Sequence, residues 1–194
     1  MQVAGGAVTI VAMALDSTVH KIRLQVSDLD RQVYGTHSLT VARHPSETEE
    51  RMMVRVLAFA RHSDDALVFG RGLSSEEEAP LSRSDLTGRL ELWIAVGLPD
   101  VKELRKACGR ADEVVLYAYG GRRVELWWKQ NEVEARRLRN LTVFELPQEG
   151  TQALAALAQR TMQVECTIQE GRAWFSQGDT TVEIEPVPLQ VPGA

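Results

Sequence analysis

The sequence predicts an α/β (α+β) fold, a compact mixed β-sheet with added β-hairpins, and three observations carry that expectation. Residues 18–27 alternate apolar and polar side chains, the period of a half-buried strand. Residues 89–119 read as a strand, a short helix and a strand, an order that implies a right-handed parallel crossover. Between these two regions lies a sharply bounded amphipathic helix, residues 46 to about 62. The 194 residues suit one domain, since a chain of ~150 residues already hides about 68–70% of its unfolded surface.

In chain order, residues 1–12 come first. They are apolar but have no positive n-region and fall short of a ~20-residue membrane span, so they read as a flexible upstream extension and secretion is not expected. Val19, Ile22, Leu24 and Val26 alternate against Lys21, Arg23 and Gln25 in the first strand. A polar turn at Asp28–Arg31 leads to a second strand over 33–41, so the two form a hairpin. After the helix, Leu67–Phe69 is a short buried strand. Residues 70–84 are a polar loop whose run Glu76, Glu77, Glu78 reads as a solvated face. Residues 89–96, RLELWIAV, form the central strand, stopped by Gly97 and Pro99. Asp100 caps a helix over 101–108, and 113–119 returns as a strand. Gly120-Gly121 then signals a tight turn, pairing that strand with RRVELWWK as a hairpin. A strand at 142–146, an Ala-rich helix at 151–158, a hairpin of 162–168 with 172–175 and an edge strand at 182–184 complete the fold. The Pro-rich tail, 187–194, reads as loose.

Composition narrows the function classes. A content of 44% hydrophobic and 25% charged residues matches a folded globular protein. The net charge of −5 argues against a general polyanion binder, which normally carries a basic excess. Cys108 and Cys166 stand far apart with no CxxC spacing, and His20, His37, His44 and His62 are scattered. Zinc is therefore not expected, and a reducing cytoplasmic compartment is.

The helix start is the best-defined local signal. Pro45 disfavours helical dihedrals at His44, Ser46 can cap, and Glu49 three residues on completes a capping box. Glu47, Glu49 and Glu50 suit the positive end of the helix dipole, and Met53, Val56, Leu57 and Ala60 form the buried stripe.

That stretch, ARHPSETEERMM at 42–53, together with DLDR at 28–31, LWI and GLPD within 92–100, KAC at 106–108 and WW at 127–128, resembles the YaeQ family. The resemblance runs from about Met13 to Ile184. It implies a bacterial cytoplasmic protein with a single domain over 13–186 and a PD-(D/E)XK-like core of helix, strands, crossover helix and strand. Nuclease activity enters by fold analogy alone.

By that resemblance, Asp85 and Glu91 are the candidate Mg²⁺ ligands, with Glu47 assisting from the helix. A hard cation takes oxygen ligands and then activates water. Asp85 and Glu91 share one side only if the strand runs unbroken through Thr87-Gly88. The family pattern of acid, any residue, lysine is broken here, because Glu91 and Leu92 are followed by Trp93. Lys102 or Lys106, at i and i+4 on the next helix, are the substitutes, with KAC favouring Lys106. The plain alternatives are a turn aspartate, a solvent-facing strand glutamate, a capping Glu47 and solvated lysines. Aromatics among basic residues, Trp128 with Lys129, Arg136 and Arg137, suit single-stranded nucleic acid, with ordinary surface pairing as the alternative.

The sequence thus points to a Mg²⁺-dependent, nuclease-like phosphodiesterase with an atypical site. The alternative is a catalytically degenerate module binding nucleic acid or protein; a third reading is a cleft for a phosphorylated small molecule. No membrane partner is expected.

Overall fold

The computed structural model describes residues 17–70 and 78–192. The first hairpin is β1 (Thr18–Asp28) with β2 (Val33–Arg43), paired antiparallel in unbroken register. Asp28 Oδ1 accepts from the Arg31 amide at 3.0 Å and closes the turn. Next come α1 (Glu49–Arg61), β3 (Leu67–Phe69), β4 (Leu81–Ser84), β5 (Leu90–Val96), α2 (Val101–Cys108) and β6 (Glu113–Ala118). The chain continues through α3 (Arg122–Ala135), β7 (Leu141–Glu145), α4 (Gln148–Ala156), β8 (Thr161–Gln169), β9 (Arg172–Gln177), β10 (Thr180–Ile184) and β11 (Val187–Gln190).

Two mixed sheets result. One runs β10-β9-β8-β1-β2, with β1 and β8 parallel; the other runs β11-β7-β6-β5-β4-β3, with β5, β6 and β7 parallel. Helix α1 is buried on all sides from Met52 to Ala60, as a helix lodged between two sheets must be. The first core joins it to Ile22, Leu24 and Val26 of β1 and to Leu92, Ile94 and Val96 of β5. Alternation along β5 sends Trp93 and Ala95 to the opposite face, where a second core forms with Leu104 of α2 and Val124 and Trp127 of α3. Among the described residues no helix is long and apolar enough to cross a membrane.

Several sequence expectations are corrected. RRVELWWK is helix, not strand: Val124, Trp127, Trp128, Asn131 and Ala135 make the buried or half-buried stripe, with spacing i, i+3, i+4, i+7, i+11. Gly120-Gly121 is therefore a strand-to-helix loop, with φ of +118° and +57°, rather than a hairpin turn. The cap of α1 is Thr48, whose Oγ1 accepts from the Arg51 amide at 3.1 Å. Ser46 instead bonds the His44 ring, because the chain first turns through Glu47 N to His44 O at 2.8 Å. Part of the supposed loop at 70–84 is β4, while Glu76 and Glu77 lie outside the described residues, as does the 1–12 extension. The Pro-rich tail is anchored over Val187–Gln190: β11 pairs with β7, and the Gln190 amide donates to the Ala135 and Leu141 carbonyls at 3.0 and 3.1 Å. An edge strand is where proline is tolerated.

Candidate functional site

The residues nominated from sequence do not meet in one place. Glu47 precedes α1 and points inward, its side chain 2% exposed. Its Oε1 accepts from Arg51 Nη1 at 2.7 Å and Arg55 Nε at 2.9 Å, and its Oε2 accepts from Arg55 Nη2 at 2.7 Å. Asp85 sits in the β4–β5 turn, where the chain reverses: its amide donates to Arg89 O at 2.9 Å, and Gly88 takes φ +85°. The strand therefore does not run unbroken from Asp85 to Glu91. The Thr87 hydroxyl at 2.7 Å and the Thr87 and Arg89 amides at 2.8 and 3.0 Å all donate to Asp85 Oδ1. These donors hold its carboxyl below the usual range, the hydroxyl most strongly. Glu91 falls at the bulge of β5 and accepts from Arg83 Nε at 3.0 Å. Lys102 and Lys106 are exposed on α2. Among the described residues no three His, Cys, Asp or Glu side chains are placed to share a metal ion.

A different set of side chains gathers at the other end of β5, roughly 17 Å along the strand from Glu91. A cleft of about 410 Å³ opens where β5 and β6 end, lined by Glu50, Arg51, Glu103, Tyr119, Gly120 and Arg123. A smaller cavity of about 70 Å³ shares Arg51, Pro99 and Glu103 with it and reaches Glu78 and Trp93. The carboxyl ends of parallel strands are where open α/β sheets bind ligands, because the following helices splay apart there.

Each lining group is positioned by its element. Glu50 lies in the first turn of α1, and the hydroxyl of buried Thr151 donates to its Oε1 at 2.7 Å. The bond to Glu47 orients Arg51. Glu103 stands in the first turn of α2, after Asp100 Oδ1 accepts from the Lys102 amide at 2.7 Å. Arg123 occupies the first turn of α3, which has no side-chain cap. A cation at a helix N-terminus is unfavourable by itself, and it adds to the dipole's positive end to favour an anion there. Burial pushes the Tyr119 phenol up, so it stays protonated through neutral pH. From sequence, Glu50 reads as capping and dipole complementarity, Arg123 as one of the basic residues of 122–139 that suit single-stranded nucleic acid, and Arg51, Glu103 and Tyr119 carry no functional role. The available signal was Gly120-Gly121 between a strand and two arginines, a loop that can approach a phosphate.

The basic face of α3 is a separate feature. Trp127 is buried and donates through Nε1 to Pro99 O at 2.8 Å, while Trp128 is half-buried with its ring 6.2 Å from that of Trp127. The Arg136 guanidinium lies 5.6 Å from the Trp128 ring, so one face of that indole is already covered. Lys129, Arg136 and Arg137 are exposed around it.

Fold and site together define an α+β protein whose parallel-strand core opens a polar, arginine-bearing cleft at the strand ends. The chain belongs to the YaeQ family: the family profile described as YaeQ protein matches residues 13–186. It is 42% identical over 181 residues to the uncharacterized protein YaeQ of Escherichia coli (strain K12), covering 93% of this chain and 99% of that one. The uncharacterized protein YaeQ of Salmonella typhi matches to the same extent, 42% over 181 residues with 93% and 99% covered. Among solved structures, the YaeQ protein from Xanthomonas axonopodis pv. citri is 48% identical with a TM-score of 0.88, covering 91% of this chain and 100% of that one. The YaeQ protein from Pseudomonas syringae is 36% identical with a TM-score of 0.86, covering 90% and 97%.

Proposed function

We propose that this chain is a nuclease-like protein that holds a nucleic-acid phosphodiester in the cleft at the ends of β5 and β6 and hydrolyses it with Mg²⁺. The order α1, β3–β4–β5, α2, β6 supports the reading, since it follows the helix, strands, crossover helix and strand of a PD-(D/E)XK-like core. The observation that carries it is the meeting of two carboxylates, Glu50 and Glu103, with two guanidiniums, Arg51 and Arg123, around one cleft. Glu47, Asp85 and Glu91 are each engaged by groups of the chain itself and fit an ion poorly as placed. Glu50 and Glu103 have the right donor chemistry, because one or two carboxylates plus substrate phosphate suffice for Mg²⁺. A bound Mg²⁺ would supply charge neutralisation and a more acidic water. Arg123 and the uncapped start of α3 bind phosphate oxygens. Thr151 keeps Glu50 aimed at the cleft, and Glu47 keeps Arg51 there.

Calorimetric Mn²⁺ titration with a labelled oligonucleotide cleavage assay tests this. The expected result is saturable binding and Mg²⁺-dependent cleavage, both lost in Glu50→Gln and Glu103→Gln. Loss instead in Asp85→Asn and Glu91→Gln would return the site to the strand acids, with Lys106 or Lys102 as its cation. A second reading, nucleic-acid binding without cleavage, is favoured by the Arg136–Trp128 pair with exposed Lys129 and Arg137. Tight binding without cleavage, abolished by Arg136→Glu with Arg137→Glu, would establish it.

A further inference from the structure

A sheet edge presents a row of unpaired amides and carbonyls, and proteins normally shorten it or place charge or proline on it. Among the described residues the two sheets have four edges, and three of them follow that rule. β3 has 3 residues, β11 has 4 and contains Pro188, and β10 has 5 and carries Glu183, ion-paired to Arg172 at 3.4 Å. β2 does not follow it. It is an 11-residue edge strand with no register shift, and Val33–Ala42 contains no carboxylate, ammonium, guanidinium or proline.

The inner side of this strand is also incompletely covered. Leu39 and His37 pair with Ile22 and Leu24 of β1 and face the same core. Ile22 and Leu24 are 1% and 0% exposed, whereas Leu39 and His37 are only half-buried. His37 Nε2 is buried without a hydrogen-bond partner among the described residues. The Ala42 carbonyl already accepts from Arg55 Nη2 at 2.8 Å, so the open stretch is Val33–Val41, with His37 at its midpoint.

We propose that β2 is the interface of a two-fold dimer, in which a second copy of this chain adds its β2 antiparallel and joins the two five-stranded sheets into one. Residues opposite each other must share a face, so the register joins positions of like parity. A two-fold axis at His37 sets Val33 against Val41, Gly35 against Leu39, Tyr34 against Thr40 and Thr36 against Ser38. His37 meets its own copy at the axis; the other pairs carry no charge, and β-branched and hydroxyl pairs face each other, which favours pairing. A self-complementary strand fits its own copy, and Val33–Ala42 offers a charged partner no carboxylate, ammonium or guanidinium to pair with.

Sedimentation equilibrium of the full chain over a concentration series tests the proposal. The expected mass is twice the 21.6 kDa of one chain, returning to 21.6 kDa on dilution. Thr36→Lys and Ser38→Lys place like charges on the exposed row of the edge and should weaken association by about 100-fold or more. Thr167→Lys, on the same solvent face but in the interior strand β8, should leave it unchanged. Unchanged circular dichroism melts confirm that the edge variants fold. A monomeric wild type at every concentration overturns the proposal, as does equal dimerisation of both edge variants. Hydrogen exchange separates the remaining occupant: β2 amides protected in a monomer, and freed by deleting residues 1–12, would assign the edge to the chain's own N-terminal segment and also overturn it.

Discussion

Glu47→Ala should destabilise this protein severely, whatever the metal content of the solution. The carboxylate accepts three guanidinium hydrogen bonds, two of them from Arg55, whose side chain is 0% exposed. Burial disfavours the charged guanidinium and lowers the Arg55 pKa, with Glu47 the main opposing influence. Removing Glu47 leaves that cation buried and unpaired, which costs about 3–5 kcal/mol. That is a large share of a total stability of roughly 5–15 kcal/mol. The assay is urea unfolding followed by circular dichroism, with and without Mg²⁺: the midpoint should fall with little change in slope. Replacing both partners, Glu47→Leu with Arg55→Met, removes the charge along with its partner and should recover most of the loss. A cost below about 1 kcal/mol for Glu47→Ala would refute the reasoning, since Arg55 would then have found water or another acceptor. Full stability with loss of metal binding alone would make Glu47 a ligand instead.

Gly121→Ala should cost about 1–3 kcal/mol in the same assay: φ is +57°, and a Cβ there would lie 2.0 Å from Gln148 Oε1. Gly178→Ala is the comparison, with the same φ but nothing within 4 Å, so it should cost less. His62 is half-buried against the Tyr117 hydroxyl at 2.9 Å, and loss of hydration, then Arg61, lowers its pKa from 6.5 to about 3. Between those values the unfolded chain binds a proton that the folded chain refuses. Stability should therefore fall as pH drops from 6.5 toward 3, by up to about 1.4 kcal/mol per pH unit from this group. His62→Asn should flatten the slope in that window, and an unchanged slope would show that His62 titrates normally in the fold.

How much was legible depended on whether local pattern and tertiary context agreed. β1, β5 and α2 were readable because alternation, a capping aspartate and stop residues coincide in short windows. α3 was misread because eight residues, Arg122–Lys129, hold too little of a 3.6-residue period to separate it from alternation. The stripe becomes clear only when Asn131 and Ala135 are counted. The sequence Asp85-Leu-Thr-Gly88 carries the aspartate and glycine of a type I turn, a signal that outranked the parity joining Asp85 to Glu91. Arg55 inside MMVRVLAFA is a charge in an apolar run that requires a partner, and Glu47 eight residues earlier meets that need. The cleft at β5 and β6 was not legible, because Glu50, Glu103 and Arg123 come from three helices that converge only through the parallel pairing of the strands.

The role of that cleft is tested most directly by fluorescence anisotropy of a labelled single-stranded oligonucleotide, titrated with wild type, Arg123→Glu and Arg137→Glu at fixed low salt. Loss of a hydrogen-bonded charge at the phosphate is worth about 1.5–3 kcal/mol, so Arg123→Glu should weaken binding ten- to hundredfold. Arg137→Glu, just beyond the C-terminal end of α3, should stay within about twofold of wild type apart from the salt-screened background. No saturable binding by the wild type, or a larger loss in Arg137→Glu than in Arg123→Glu, would contradict a phosphodiester site at the ends of β5 and β6.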